Sequence, residues 1–190
     1  MPLEIPGLDW EEEKPDKGSS SKAITKNGHD FWEALSALQK SVRRGLEEDA
    51  LYWANELHEF NPTALWNRLK VFASEEIALA SPGTVILVRA LYENFAEQDK
   101  PGESRLFLAH AICALCRAKK NATVHCAAMI MSDLPRREVP DYALDKHTHR
   151  GKLKGRGMQD FFDVGMLHNN VDESIPNIYL ERAKKAKGIS

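Results

Sequence analysis

The sequence predicts an all-α protein, a compact multi-helix bundle, on three observations. Apolar residues recur every three to four positions from Asp30 to Met131. Pro, Gly and Asn punctuate that pattern at intervals suited to helices of ten to sixteen residues. No alternating runs of Val, Ile or aromatic residues bounded by turn signals appear between them.

Phe31, Leu35, Leu38 and Val42 define the first stripe, which Gly45 closes, and Ala50, Trp53, Ala54 and Leu57 the second, which ends before Asn61-Pro62. Asn61 is placed to cap a third helix with Pro62 at its first position, and Leu65, Leu69, Phe72, Ala73 and Ile77 form its face. Ser81-Pro82 repeats that signal for a fourth, Pro82 to about Glu97, with Val85, Val88, Leu91, Tyr92 and Phe95. Pro101-Gly102 then opens a fifth, whose segment Leu106 to Cys116 is apolar nearly all round and is therefore expected to be the helix the others pack against. Asn121 to Met131 reads as a sixth, rich in small residues and stopped by Pro135. Connections of two to six residues imply antiparallel neighbours.

A length of 190 residues with 43% hydrophobic and 28% charged content fits one globular core plus tails. Residues 1–28 read as a flexible acidic arm, in which Leu3, Ile5, Leu8 and Trp10 form a short docking segment. Residues 29–170 are the helical domain, and 171–190 a basic, helical tail. The net charge of −2 excludes a polycation, so any nucleic-acid contact must be local. Cys113, Cys116 and Cys126 sit in apolar helical surroundings and are expected to be reduced thiols. Neither a signal peptide nor an apolar run long enough for a bilayer is present, so a cytoplasmic protein with no membrane partner is expected.

The densest chemistry lies in Asp141 to Phe162. Lys146, Arg150, Lys152, Lys154 and Arg156 place five cations within eleven residues, with His147 and His149 among them. The segment is expected to begin as a helix, Asp141 to Arg150, which Gly151, Gly155 and Gly157 open into a loop with free backbone N–H groups. Such a loop suits phosphate or another anion, and the seven side chains Lys146, His147, His149, Arg150, Lys152, Lys154 and Arg156 are the candidate DNA-binding or anion-binding set. A solvated connection kept soluble by its lysines is the other reading of the same residues.

Three further groups carry residue types that could do chemistry. His110, Cys113, Cys116, His125 and Cys126 lack the paired knuckles of zinc sites, and small apolar cysteines in a core account for them. His147 and His149, two apart, point away from each other on a helix, which counts against a shared site with Asp145 or His168. Glu75 and Glu76 read as a structural ion pair, one of them partly buried against Arg43 or Arg44, ahead of a catalytic carboxylate pair. No phosphate-binding loop and no hydrolase nucleophile elbow can be assembled. No catalytic residue, metal or cofactor is assigned.

Ser36 to Arg43 (SALQKSVR), Asp49 to Trp53 (DALYW), Ala73 to Ala80 (ASEEIALA) with Pro82, and Lys119 to Ala122 (KKNA) together resemble the C-terminal region of the RarA/MgsA family, replication-associated recombination AAA+ ATPases of the clamp-loader clade. The resemblance spans about Asp30 to Asn170. It implies an all-helical domain similar to a clamp-loader collar, which in that family drives tetramer formation. It also implies work at stalled or gapped replication forks, in contact with single-strand-binding protein and DNA ends. Lys120 and Glu76 stand where the common pattern leads one to expect serine and aspartate. This sequence carries no counterpart of the family's AAA+ module, so ATP hydrolysis is not carried over. A homo-oligomerising interaction domain without enzymatic activity is the leading expectation, paired with a separate AAA+ ATPase subunit or with single-strand-binding protein. A nucleic-acid-binding or processing protein using the basic loop is the alternative.

Overall fold

The computed structural model describes residues 23–189, so the docking segment Leu3 to Trp10 lies outside the described residues. The chain divides into two compact units, one ending at Ser132 and one beginning at Asp133. Among the described residues the fold is all-α, with one isolated antiparallel bridge between Ile24 and Asp30 and no strand. No described helix is long and apolar enough to cross a membrane.

The first unit holds α1 (Phe31–Arg44), α2 (Glu47–Phe60), α3 (Pro62–Phe72), α4 (Pro82–Ala96), α5 (Pro101–Arg117) and α6 (Thr123–Ile130). Local chemistry sets the boundaries. Asp30 accepts from the backbone N–H of Trp32 at 2.8 Å and of Glu33 at 3.1 Å, capping α1. Gly45 ends it at φ +71°, and a Cβ there would lie 3.3 Å from the Cys116 carbonyl, so glycine answers both the left-handed turn and the close approach of α5. Asn61 caps α3 through the Ala64 N–H at 3.0 Å, with Pro62 next. Ser81 differs from that expectation: its hydroxyl pairs with the Thr84 hydroxyl at 2.8 Å instead of capping α4.

The core is formed from all of α1 to α5. Its largest fully buried side chains are Trp66 and Phe72 of α3, joined by Leu38, Leu57, Leu65, Leu69, Ile77, Ile112 and Leu115. The expectation that α5 is the central helix therefore holds only in part. It packs against α1, α2 and α4, yet Leu106 is 66% exposed and His110 is exposed, while α3 supplies the centre. Residues 23–30 form a strap on this unit. Thr25 and Asn27 donate to the carboxylate of buried Glu56, and the Phe31 N–H reaches the Ala23 carbonyl at 2.8 Å.

The second unit holds α7 (His149–Leu153), α8 (Met158–Asp160), which continues as a π-helical turn over Phe161–Gly165, and α9 (Leu180–Ala186). A 3-10 turn, Asp141–Ala143, packs on that π-turn.

Candidate functional site

α3 does not stop at Phe72 but widens into a π-helical turn, Ala73–Ile77, whose end is marked by Ala78 at φ +40°. Wide turns of this kind re-aim side chains, and here both Glu75 and Glu76 reach the single amide of Gln39, at 2.7 and 2.9 Å. Glu76 is 5% exposed and receives the Arg43 guanidinium two-handed, Nε at 2.8 Å and Nη2 at 2.6 Å. Burial works against the Glu76 charge, but the Arg43 and Gln39 hydrogen bonds and the charges of Arg43 and His125 outweigh it, so the carboxyl sits below its ordinary range. Arg43 is raised in turn, mainly by its hydrogen bonds to Glu76.

Glu75 faces His125 of α6 at 3.6 Å. The Asn121 N–H binds the Glu76 carbonyl at 2.7 Å, tying the start of α6 to the π-turn. Lys120 turns back and donates to the carbonyls of Leu115, Cys116 and Ala118 at 2.8, 2.9 and 2.7 Å, closing the C-terminal end of α5. Between these groups lies an open cleft of about 350 Å³ lined by Arg43, Glu75, Glu76, Lys120, Asn121, Ala122 and His125. The acid pair expected to be structural is so: Glu76 is the buried partner and Arg43, not Arg44, its cation. Gln39 and Lys120 stand in segments that carry the family resemblance, but sequence reasoning assigns neither of them a role at this site, since nothing in their local spacing points to these partners.

The thiols do not assemble a metal site. Cys116 is buried, which pushes its thiol up to about 11; Cys126 is exposed; and His125 is engaged with Glu75. Among the described residues no three His, Cys, Asp or Glu side chains come together as a metal would require.

The basic segment is built differently from the expected helix opening into a loop. The chain makes only a 3-10 turn at Asp141–Ala143, and helix begins at His149. Local side chains compete with the backbone in between: Asp145 accepts the His147 N–H at 2.9 Å, and Thr148 caps α7 by accepting the Gly151 N–H at 3.0 Å. Gly151 belongs to the helix, and a Cβ on it would lie 1.8 Å from the Asp145 carbonyl oxygen. The glycine N–H groups are not free. Gly151 donates to Thr148, Gly155 to the Lys152 carbonyl at 3.0 Å, and Gly157 to the Asp160 carboxylate at 3.0 Å. Phosphate cradling by this backbone is thereby corrected.

The seven candidate side chains separate into three groups. Lys154 and Arg156 both bind the Asp141 carboxylate, whose pKa those two hydrogen bonds lower. Lys146 lies 5.9 Å from the Phe161 ring centre, and His147 meets the same ring edge-on at 5.7 Å. His149, Arg150 and Lys152 are exposed on α7, and among the described residues no ion pair engages Arg150 or Lys152. Among the described residues, neither a hydrogen bond nor a ring contact joins His147, His149 and His168.

Residues 46–186 match the family model described as the MgsA AAA+ ATPase C terminal. The chain belongs to this family. It is similar to Replication-associated recombination protein A of Escherichia coli (strain K12), 30% identical over 140 residues that make up 72% of this chain and 31% of that protein. The protein of the same name from Bacillus subtilis (strain 168) is 30% identical over 167 residues, 85% of this chain and 38% of the relative. That from Coxiella burnetii is 35% identical over 118 residues, 56% of this chain and 26% of the relative. The chain thus spans about a third of the length of these relatives. The match to the family takes in the π-turn, α6 and the whole basic segment, whereas Gln39 and Arg43 on α1 precede it.

Proposed function

We propose that this chain is a non-catalytic interaction domain of DNA replication, recombination or repair, and that it works by self-association. The relatives' names supply the process. The observation that carries the mode of action is the first unit's surface: its cleft residues are tied to one another, while Leu79, Ile86, Met129, Ile130 and Met131 stand 56% to 71% exposed. Apolar side chains of that size left in water favour association. A tetramer, a separately encoded AAA+ ATPase subunit and single-strand-binding protein are the partners this reading names, in the cytoplasm. Sedimentation equilibrium tests it: a mass of several chains at micromolar protein is expected, and one chain at every accessible concentration overturns it. Purification from native extract should bring down an ATPase or a single-strand-binding protein.

A second reading rests on α7. Arg150 and Lys152, with His149 beside them, form an exposed cationic face that can meet a nucleic-acid backbone through side-chain charge alone.

A further inference from the structure

Resting on the self-association proposed above, we infer that α6 is its seat and that the occupant is the same helix of a second copy, related by a twofold axis. Val124, Ala127, Ala128, Met129 and Ile130 make five of the eight residues of α6 apolar, yet none of the eight is buried. Every other helix of this unit contributes buried residues. Among the described residues, the apolar surface of this helix has no cover.

The helix is nevertheless held in a fixed orientation. It packs on the π-turn and on the 3-10 turn Ala78–Ala80, with the Asn121 N–H on Glu76 and His125 beside Glu75. Val124 and His125 are its half-buried residues and mark the inward side. At 3.6 residues per turn, Thr123, Cys126, Ala127 and Ile130 fall on the opposite, outward side.

The chemistry of that side selects the occupant. From Asn121 to Ser132 the inward-facing His125 is the only acidic or basic side chain, so a partner recognised by charge finds nothing to pair with on the outward side. A second copy brings an identical uncharged surface, and a twofold contact needs only one patch that complements itself. Ala127 lets two helix backbones approach closely. An eight-residue helix is only about 12 Å long, too short for the roughly 800 Å² per partner of a standard interface. The contact must therefore take in apolar side chains beyond α6, and this unit leaves Leu79 of the 3-10 turn under α6 and Ile86 of α4 69% and 71% exposed.

Cys126 makes the arrangement testable in the full chain. It is exposed at the middle of the outward side, whereas Cys116 is buried with its thiol pushed up to about 11 and Cys113 is half-buried. A short bismaleimide should give a covalent dimer of the wild type, and C126S should abolish it. A127R and, independently, I130E should at least halve the mass found by sedimentation equilibrium while leaving the circular dichroism unchanged. If the chain associates but gives no cross-link through Cys126, or keeps its mass in both charged variants, the α6 contact is wrong and self-association stands. A wild type that sediments as one chain at all concentrations overturns both.

Discussion

The Arg43 guanidinium grips the Glu76 carboxylate with Nε at 2.8 Å and Nη2 at 2.6 Å, joining α1 to the π-turn that follows α3. Glu76 is buried and Arg43 is half-exposed, so the two do not contribute alike. Removing the cation leaves a buried carboxylate with Gln39 as its remaining side-chain donor. R43A should cost about 2 kcal/mol, below the roughly 3 to 5 kcal/mol lost when a fully buried pair is broken, because solvent screens the exposed half of the contact. The Glu76 pKa is lowered in the folded state, so its stabilising contribution is full above the unfolded carboxyl pKa and disappears as pH falls through the folded value. Urea unfolding at pH 7 and at pH 4 should show wild type losing more than R43A on acidification. Equal losses would mean the pair does not control acid stability.

Gly151 and Gly155 should respond differently to the same change. G151A puts a methyl group 1.8 Å from the Asp145 carbonyl oxygen, which only movement of backbone can relieve. G155A meets open space and bears only the strain of φ +73°, about 1 to 2 kcal/mol. Limited proteolysis should therefore find the 141–165 segment opened in G151A and nearly intact in G155A.

How far the sequence reveals this molecule depends on the range of each interaction. Asp30, Gly45 and Asn61-Pro62 act on backbone groups within four residues, so the ends of α1 and the start of α3 are legible. Glu76 against Arg43 is legible as chemistry, because an acid on an otherwise apolar helix face needs a cation. The π-turn has no local signal, and without it Gln39 cannot be seen to bridge two adjacent acids. Asp141 reads as helical in the sequence because its partners, Lys154 and Arg156, lie thirteen and fifteen residues away. The periodicity of α6 is visible, but periodicity does not say whether a face has a partner within the same chain.

Lys120 should prove to be a structural residue despite its charge. Its ammonium group donates to three carbonyls at the end of α5 and desolvation lowers its pKa, the mark of a group drawn partly out of solvent by the fold. K120M keeps the stem but leaves the Leu115, Cys116 and Ala118 carbonyls short of a donor. A loss of about 2 kcal/mol is expected, in the range for hydrogen bonds to a charged group. Chemical denaturation measures it, and hydrogen exchange should rise first at the α5 to α6 junction.

The nucleic-acid reading of α7 turns on which cations are removed. Lys154 and Arg156 hold Asp141, so replacing them loosens the second unit and confounds any binding result. Arg150 and Lys152 have no such duty, and their removal should leave the fold alone. If α7 meets phosphates, R150A/K152A should weaken binding to single-stranded and forked DNA alike. The slope of log affinity against log salt should fall by about 1 for each phosphate that is no longer neutralised. D141N is the converse control: it releases Lys154 and Arg156, and proteolysis will show whether the segment has opened. Titration of labelled DNA at two salt concentrations separates the cases. Affinity unchanged in R150A/K152A would remove α7 from any DNA contact, whereas a salt slope unchanged beside a weakened affinity would mean that these two side chains do not neutralise phosphates.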